Sequence, residues 1–196
     1  MITVLKNKRI VLAVSGSIAC YKIVDLASKL TQAGALVDVV MTGAAQKFVT
    51  PLAFRSVTGR PVFTDMWDER EHIQHVNLGE EADLFVVAPA TANTLAKMAQ
   101  GIADNTLTLT AISVRCPIIV APAMDGGMYA HPATQVNVRI LRERGVIFAG
   151  PAEGRMASGR RMSNGWSLLQ ARTASGMRRS WDQSPPPMTL PARTEA

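Results

Sequence analysis

Cysteine and long apolar runs are both scarce in this chain of 196 residues, and each scarcity excludes a class of protein. Two cysteines, Cys20 and Cys116, are too few for a disulfide framework and do not have metal-ligand spacing. No apolar run approaches the ~20 residues that a membrane-spanning helix needs. The N-terminus does not resemble a signal peptide, because Lys6, Lys8 and Arg9 precede only a five-residue apolar run. We therefore expect a cytoplasmic protein that is not embedded in a membrane.

Acidic residues are scarce only near the C-terminal end of the chain. Residues 155–196 hold seven arginines and two acids, whereas residues 1–154 hold 14 basic and 13 acidic residues. The net charge of +6 therefore belongs mainly to the end of the chain. A nucleic-acid-binding domain carries its positive charge as a patch on the folded body. We therefore predict no nucleic-acid partner.

What the chain does contain is a series of short, continuous apolar runs, in a composition that is 47% hydrophobic and 18% charged. This composition predicts one ordinary soluble domain with a sizeable core. Runs without alternation are typical of strands buried on both faces, and helical spacing follows most of them. The pattern predicts an α/β fold with a mostly parallel sheet covered by helices. The strand-like runs are residues 9–14, 36–41, 84–88, 117–121 and 146–149.

The central segment is ADLFVVAPATANTLAKMAQGIADN, residues 82–105, in which an apolar strand leads through a polar loop into a helix. We expect Pro89 to end the strand, and helical spacing to resume at Leu95. Ligands of open α/β sheets bind at the carboxyl ends of strands, and helix N-termini favour anions. Thr91 and Asn93 either bind such a ligand or cap the helix. The residues alone leave both interpretations open.

Two other predicted strands end in similar polar turns. Ser15, Gly16 and Ser17 follow the first strand and precede a helix, which is how a nucleotide phosphate is often held. The fingerprint with three glycines is absent, so a plain tight turn fits this segment equally well. Thr42 follows the second strand and either contacts a phosphate or caps a short helix that runs through Phe48. A right-handed βαβ unit places both turns at the same edge of the sheet.

Histidine occurs three times in the chain, and two of these residues, His72 and His75, precede the central strand. A zinc site would need further ligands, and no cysteine or acidic pair has suitable spacing. Each histidine is therefore either a catalytic base, because imidazole titrates near neutrality, or an ordinary surface residue. Periodicity is lost beyond Gly150, and Arg, Ser, Thr and Pro dominate from Ser175 onward. That composition predicts a disordered tail.

Four segments, SGSIA, MT, PATANT and PAMDGGMY, together with EHIQHVNL, resemble the phosphopantothenoylcysteine decarboxylase family. This family of flavoproteins also includes decarboxylases of peptides that end in cysteine. The resemblance covers residues 6–163. It implies a doubly wound sheet with helices on both faces, of the flavodoxin or Rossmann type. It also implies FMN as cofactor, a homotrimer or a dodecamer of four trimers, and a flavoprotein domain over residues 1–163. Composition predicts that residues 164–196 form an irregular basic tail.

The reaction that the resemblance implies is the oxidative decarboxylation of 4'-phosphopantothenoylcysteine to phosphopantetheine, a step of coenzyme A biosynthesis. FMN takes a hydride from the carbon that bears sulfur, and the resulting thioaldehyde accepts the electrons released with carbon dioxide, giving an enethiol. A decarboxylase acting on a peptide's C-terminal cysteine is the alternative enzyme. A non-catalytic flavoprotein scaffold is the alternative outside catalysis.

The resemblance also assigns residues, position by position, and implies no metal site. His75 would be the active-site histidine, and because trimers of this family hold FMN near a subunit boundary, it can complete a neighbour's site. Ser158 would be the catalytic position of the substrate flap. The expected FMN contacts are Gly16, Ser17, Ile18, Thr42, Phe48, Thr91, Ala92, Asn93 and Thr94. The expected substrate contacts are Ala123, Met124, Asp125 and Met128.

Two of these positions depart from the family pattern. Asp125 occupies the place of an asparagine that holds the substrate carboxylate, and two like charges about 4 Å apart repel by ~4 kcal/mol at an effective dielectric near 20. Ser158 occupies the place of a cysteine that protonates the reduced product. The flap is also shortened, because Arg160, Arg161 and Met162 follow Gly159 at once.

Overall fold

The computed structural model of the chain describes residues 5–67, 74–150, 154–155 and 161–162. Its main element is a six-stranded sheet with the order 3-2-1-4-5-6, and every pair of neighbouring strands in it is parallel. This is the order of a doubly wound fold. The strands are β1 (Arg9–Val14), β2 (Leu36–Met41), β3 (Val62–Phe63), β4 (Leu84–Ala90), β5 (Ile118–Pro122) and β6 (Ile147–Phe148).

Helices cover the sheet on both faces, as predicted. The helices are α1 (Cys20–Gln32), α2 (Pro51–Thr58), α3 (Gln74–Glu81), α4 (Ala92–Gln100), α5 (Thr106–Ser113), α6 (Gly126–Ala130) and α7 (Pro132–Glu143). A 3-10 turn (Ala45–Lys47) lies between β2 and α2, and a short antiparallel hairpin pairs β7 (Gly154–Arg155) with β8 (Arg161–Met162). Within the described residues, none of the helices has the length and apolarity needed to cross a membrane.

Two apolar cores lie on opposite faces of the sheet, because successive strand residues point to opposite sides. One core joins Ile10, Leu12 and Val14 of β1 to buried residues of α1 and α2. The other joins Val11 and Ala13 of the same strand to buried residues of α3, α4, α5 and α7. β1 is therefore buried on both sides, which explains its continuous apolar sequence.

The expectation that Pro89 ends the central strand is wrong. β4 runs to Ala90, with a register shift between Val87 and Ala90 and a cis peptide bond between Ala88 and Pro89. Proline lacks only the amide donor, so its carbonyl can still pair. The carbonyl of Pro89 accepts from the amide of Ser15 at 3.3 Å, and the carbonyl of Ala90 accepts from the amide of Ala123 at 2.9 Å.

Three segments contain helices that the sequence pattern did not predict. One is α3, which covers residues that the sequence analysis placed only before the central strand. Residues 105–113 are apolar without helical period, yet they include α5, which Asn105 caps by accepting a hydrogen bond from the amide of Thr108 at 3.1 Å. The loop predicted over residues 122–129 contains the start of α6. The predicted tail, residues 164–196, lies outside the described residues.

Candidate functional site

The carboxyl ends of β1 and β4 lie side by side at the centre of the sheet. α1 follows β1 onto one face, whereas α4 follows β4 onto the opposite face. In open α/β sheets a ligand binds in the crevice that such a reversal opens. The structure therefore brings residues 15–19 and 89–94, two of the segments singled out in the sequence, to one crevice.

Ser15 joins the two halves of this crevice. Its hydroxyl donates to the carbonyl oxygen of Pro89 at 2.6 Å and accepts from the amide of Thr91 at 3.1 Å. The side chain is buried and uses its own proton within the protein, so it is not free to donate to a ligand. Sequence reasoning missed this role. The only available signal was a polar residue placed directly after a strand buried on both faces.

Gly16 is required by close packing between the β1 and β2 loops. A Cβ atom at this position would lie 2.5 Å from the Cβ of Ala44 and 2.9 Å from its carbonyl carbon. Contacts under 3.0 Å force one of the two segments to move. Gly16 therefore has a packing role that neither the tight-turn nor the phosphate interpretation included, and the close loop contact brings Ser17 and Thr42 to the same edge.

Besides Ser15, the hydroxyls of Ser17, Thr42 and Thr91 at this edge accept hydrogen bonds from backbone amides. Ser17 Oγ accepts from Ala19 at 3.3 Å, and Thr42 Oγ1 accepts from Ala45 at 3.2 Å. Thr91 Oγ1 accepts from Thr94 at 3.2 Å and shares a further bond with the Thr94 hydroxyl at 3.0 Å.

A hydroxyl carries one proton and two acceptor lone pairs, and neither Ser17 nor Thr42 donates its proton to an acceptor in the part of the chain that the structure describes. Thr91 and Thr94 have two hydroxyl protons between them. One forms the hydrogen bond between the two hydroxyls, and the other can be donated to a ligand. A phosphate supplies acceptors of the required kind.

The N-terminus of α4 adds two backbone donors to these hydroxyls. Thr91 is its N-cap, so the capping interpretation of Thr91 is confirmed. The amides of Ala92 and Asn93 have no acceptor among the described residues, as expected for the first turn of a helix. The side chain of Asn93 is exposed, whereas that of Thr94 is buried. This end of α4 can therefore bind an anion while Thr91 caps it.

Two apolar side chains lie exposed beside these polar groups. Ile18 is 57% exposed at the start of α1, and Phe48 is 51% exposed after the 3-10 turn. Ile18 lies between β1 and α1, and Phe48 lies between β2 and α2, so both follow strands that end at the carboxyl edge of the sheet. The edge therefore offers donors for an anion together with apolar side chains that can pack against a planar ring.

The predicted substrate loop begins at the end of β5 and is tied to β4. Ala123 and Met124 are partly buried, and Met124 packs against the core on the α4 face. Met128 is 52% exposed on α6. The amide of Ala123 donates to the carbonyl of Ala90, which fixes this loop next to the crevice.

Asp125 is the N-cap of α6. Its Oδ1 accepts from the amide of Gly127 at 2.8 Å, and a Cβ at Gly127 would approach the same oxygen to 3.2 Å. A carboxylate is favourable at a helix N-terminus, because the amides there carry partial positive charge. The position thus has a structural role that either an aspartate or an asparagine can fill.

His75 lies in the first turn of α3, whose last residue, Glu81, stands close to the start of β4. At ~1.5 Å of rise per residue, the backbone of His75 lies about 9 Å from that end of the helix. The seven residues of β4 extend over about 20 Å. The backbone of His75 therefore does not reach the carboxyl edge of its own sheet. Ser158 and His72 lie outside the described residues.

Neither cysteine is suited to act as a nucleophile or an acid at this edge. Burial raises the pKa of the Cys20 thiol, which donates to the carbonyl of Ser15 at 3.1 Å. Burial also raises the pKa of Cys116, which lies just before β5. Only the thiolate is strongly nucleophilic, and a raised pKa disfavours it.

Comparison with known proteins gives matches over most of the chain. The family model described as Flavoprotein matches residues 3–171. The coenzyme A biosynthesis bifunctional protein CoaBC of Bacillus subtilis is 46% identical over 157 residues. That match covers 79% of this chain and 39% of the relative, so the chain spans about two fifths of the length of this curated protein.

Two solved structures share the fold. The FMN-dependent cysteine decarboxylase TvaF from thioviridamide biosynthesis is 37% identical with a TM-score of 0.70, over 74% of this chain and 90% of TvaF. A phosphopantothenoylcysteine decarboxylase, in a cysteine-to-serine mutant complexed with pantothenoylaminoethenethiol, is 29% identical with a TM-score of 0.75. The latter match covers 87% of this chain and 98% of that protein.

Proposed function

The chain belongs to the Flavoprotein family, and from that premise we propose that it catalyses the FMN-dependent oxidative decarboxylation of a cysteine-derived carboxylate. The observation that carries the proposal is the set of donors at the β1–β4 crevice. The hydroxyls of Ser17 and Thr42 and the amides of Ala92 and Asn93 are directed to one edge, and an FMN phosphate would satisfy them.

The remaining residues of the crevice suit the rest of the cofactor. Ile18 and Phe48 would pack against the apolar ring system, and the Thr91–Thr94 hydroxyl pair would donate its remaining proton to a polar group. Bound FMN would supply the two-electron oxidation of the carbon that bears sulfur, which gives the carboxylate an electron sink. The chain itself would bind and orient the substrate beside it.

We propose 4'-phosphopantothenoylcysteine as the substrate. Support comes from the coenzyme A biosynthesis protein CoaBC, which is 46% identical to the chain over 79% of its residues. The loop over residues 122–129 would hold the substrate, with Ala123, Met124 and Met128 around its thiol-bearing end. Asp125 would hold the loop in place by capping α6.

His75 would accept or share the proton of the substrate thiol. Because its backbone lies short of the carboxyl edge, we propose that it serves the site of a neighbouring copy in a homotrimer or in a dodecamer of four trimers. We also propose a cytoplasmic location, which suits cysteines that remain unpaired.

Ser158 would leave the reaction at the enethiol. A serine hydroxyl is a much weaker acid than a cysteine thiol, whose pKa is ~8.5. Neither Cys20 nor Cys116 is placed to replace the missing thiol. A decarboxylase with a cysteine-to-serine substitution is known in complex with pantothenoylaminoethenethiol, an enethiol. The parallel supports an enethiol product here.

The experiment that tests the substrate is a product analysis. The FMN-loaded chain is incubated with 4'-phosphopantothenoylcysteine and, separately, with a peptide that ends in cysteine, and the products are identified by mass. We expect the small substrate to lose carbon dioxide and two hydrogens. Conversion of the peptide alone would assign the chain to peptide decarboxylation. A folded, FMN-loaded chain that converts neither would favour the non-catalytic scaffold and contradict our proposal.

A further inference from the structure

A buried ionic cluster lies near the amino ends of the strands, away from the crevice. Its centre is Asp38 in β2, whose side chain is 1% exposed. Arg9 Nε donates to Asp38 Oδ2 at 2.7 Å. Arg60 Nε donates to Oδ1 at 2.8 Å and Arg60 Nη2 donates to Oδ2 at 3.0 Å. Both oxygens of a carboxylate buried in a strand are therefore paired with guanidinium groups.

The cluster extends from Arg9 to α3. Arg9 Nη1 forms an ion pair with Glu81, the last residue of that helix. Arg60 stands just before β3, and Glu81 stands just before β4. Arg60 and Glu81, which flank residues 61–80 in the chain, both belong to the cluster. Residues 61–80 contain His72 and His75, two of the three histidines of the chain.

The second half of α3 is also fixed by packing. Leu78 is 1% exposed and packs in the core on the α5 side of the sheet. A Cβ at Gly79 would lie 2.8 Å from the carbonyl carbon and oxygen of Ser113, so α3 lies almost against the backbone of α5. The amide of Arg115 donates to the Gly79 carbonyl at 3.4 Å. The ion pair of Glu81 adds a contact at the end of the helix.

We propose that Asp38, Arg9, Arg60 and Glu81 form an ionic clamp that holds the end of α3 against the amino ends of β1 and β2. The clamp thereby positions α3, with His75 in its first turn, for the reaction. The inference rests on the proposed function of His75. Glu81 is a positioning residue, because it acts through Arg9 and the helix and touches no reacting atom. Its side chain is 58% exposed, so the pair adds little to stability and its effect is on orientation.

The test compares Glu81→Gln with Glu80→Gln in the full FMN-loaded chain. Both substitutions remove one negative charge from the same turn of α3 and keep the side-chain size. Glu80 is 56% exposed and pairs at 3.9 Å with Arg115, which is 83% exposed and outside the clamp, so this control leaves the clamp intact. The two measurements are the single-turnover rate with 4'-phosphopantothenoylcysteine and the NMR signals of selectively labelled histidines.

We expect Glu81→Gln to lower the rate at saturating substrate about tenfold, within the loss of up to a hundredfold that a misplacement of 1 Å can cause. Substrate affinity, FMN content and melting temperature should remain those of the unmodified chain. The signal of His75 should shift or broaden, and that of His131, which caps α7, should not. Glu80→Gln should match the unmodified chain in every measurement.

Two results would overturn the clamp. One is an unchanged His75 signal and an unchanged rate in Glu81→Gln. The other is an equal effect of both substitutions, because general loss of charge would then explain the result. If the unmodified chain converts no thiol acid, the proposed function fails, whereas the His75 signal still tests the clamp.

A second variant tests the contribution of Arg60 to the clamp. Arg60→Lys keeps the positive charge near Asp38 but loses the bidentate hydrogen bonding that a guanidinium makes with a carboxylate. We expect a smaller change of the His75 signal in the same direction as in Glu81→Gln. An unchanged signal in both Arg60→Lys and Glu81→Gln would overturn the proposal.

Discussion

At the scale of single residues, the direction of each hydroxyl proton separates structural groups from groups available to a ligand. Ser15 gives its proton to the carbonyl of Pro89, whereas Ser17 and Thr42 accept from backbone amides and keep theirs. All three follow buried strands, so position alone does not distinguish them. The hydrogen bonds do, and they make Ser17 and Thr42 the hydroxyls that we propose to contact the cofactor phosphate.

A change at His75 tests the role of the histidine. His75→Asn should abolish decarboxylation, because asparagine cannot accept the thiol proton at neutral pH, and should leave FMN binding unchanged. Turnover and the FMN absorbance of the purified protein provide the measurements. His72→Asn is the matched control, and we expect it to retain activity. Near-normal turnover in His75→Asn would show that this residue is an ordinary part of the helix.

A change at Ser158 tests where the reaction stops. Under anaerobic conditions the unmodified chain should release the enethiol and keep its flavin reduced, because Ser158 is too weak an acid to protonate the intermediate. Ser158→Cys should yield some saturated thiol. Product mass and flavin absorbance follow both outcomes. Full conversion to phosphopantetheine by the unmodified chain would contradict the argument.

At the scale of elements, the site depends on the contact between the loops that follow β1 and β2. Gly16→Ala would force its Cβ against Ala44, and overpacking of this kind costs about 1–3 kcal/mol. We expect a lower free energy of unfolding in urea and weaker FMN binding, since Ser17 and Thr42 would separate. Gly43→Ala is the matched control, because nothing lies within 4 Å of its added Cβ. Equal FMN affinity in both variants would mean that the contact does not shape the site.

Elements were predictable where the sequence carries a regular period or a continuous apolar run. β1, β2, α1 and α7 are of this kind. α5 was not predictable, because its T-L-T-L-T alternation shows no helical period, and hydroxyls of its buried threonines donate to carbonyls three or four residues earlier only once the helix has formed. Thr110 Oγ1, for example, donates to the carbonyl of Thr106 at 2.7 Å.

Contacts between residues far apart in the chain account for the rest of what the sequence could not show. Ser15 meets a partner 74 positions away, and Asp38 meets partners 29 and 22 positions away. The edge that holds the candidate site could be predicted, because parallel strands end together. The division of roles among its side chains could not, because it depends on these distant partners.

At the scale of the whole molecule, the proposed role of His75 calls for more than one copy of the chain. The candidate FMN edge lies at the carboxyl ends of the strands, whereas the backbone of His75 lies about 9 Å from Glu81, near the amino end of β4. The two are therefore different parts of one subunit. Closed rings such as trimers join two different surfaces of each copy. A trimer can therefore bring His75 of one copy to the FMN edge of the next.

Light scattering of the FMN-loaded chain tests this arrangement. We expect the mass of a trimer, or of four trimers together, at micromolar concentration. Mixing His75→Asn with a variant impaired at the FMN edge, such as Gly16→Ala, should restore part of the activity, because one intact site can form between the two kinds of subunit. A flavin-bound monomer with full activity would contradict the trimer and the shared site.

The most direct test of the central claim is an anaerobic stopped-flow measurement that follows flavin absorbance and carbon dioxide together. The account predicts that the purified chain binds FMN and that 4'-phosphopantothenoylcysteine bleaches the flavin before carbon dioxide appears, because oxidation must create the electron sink first. Carbon dioxide released without any bleaching, or a folded chain that takes up no FMN, would contradict it.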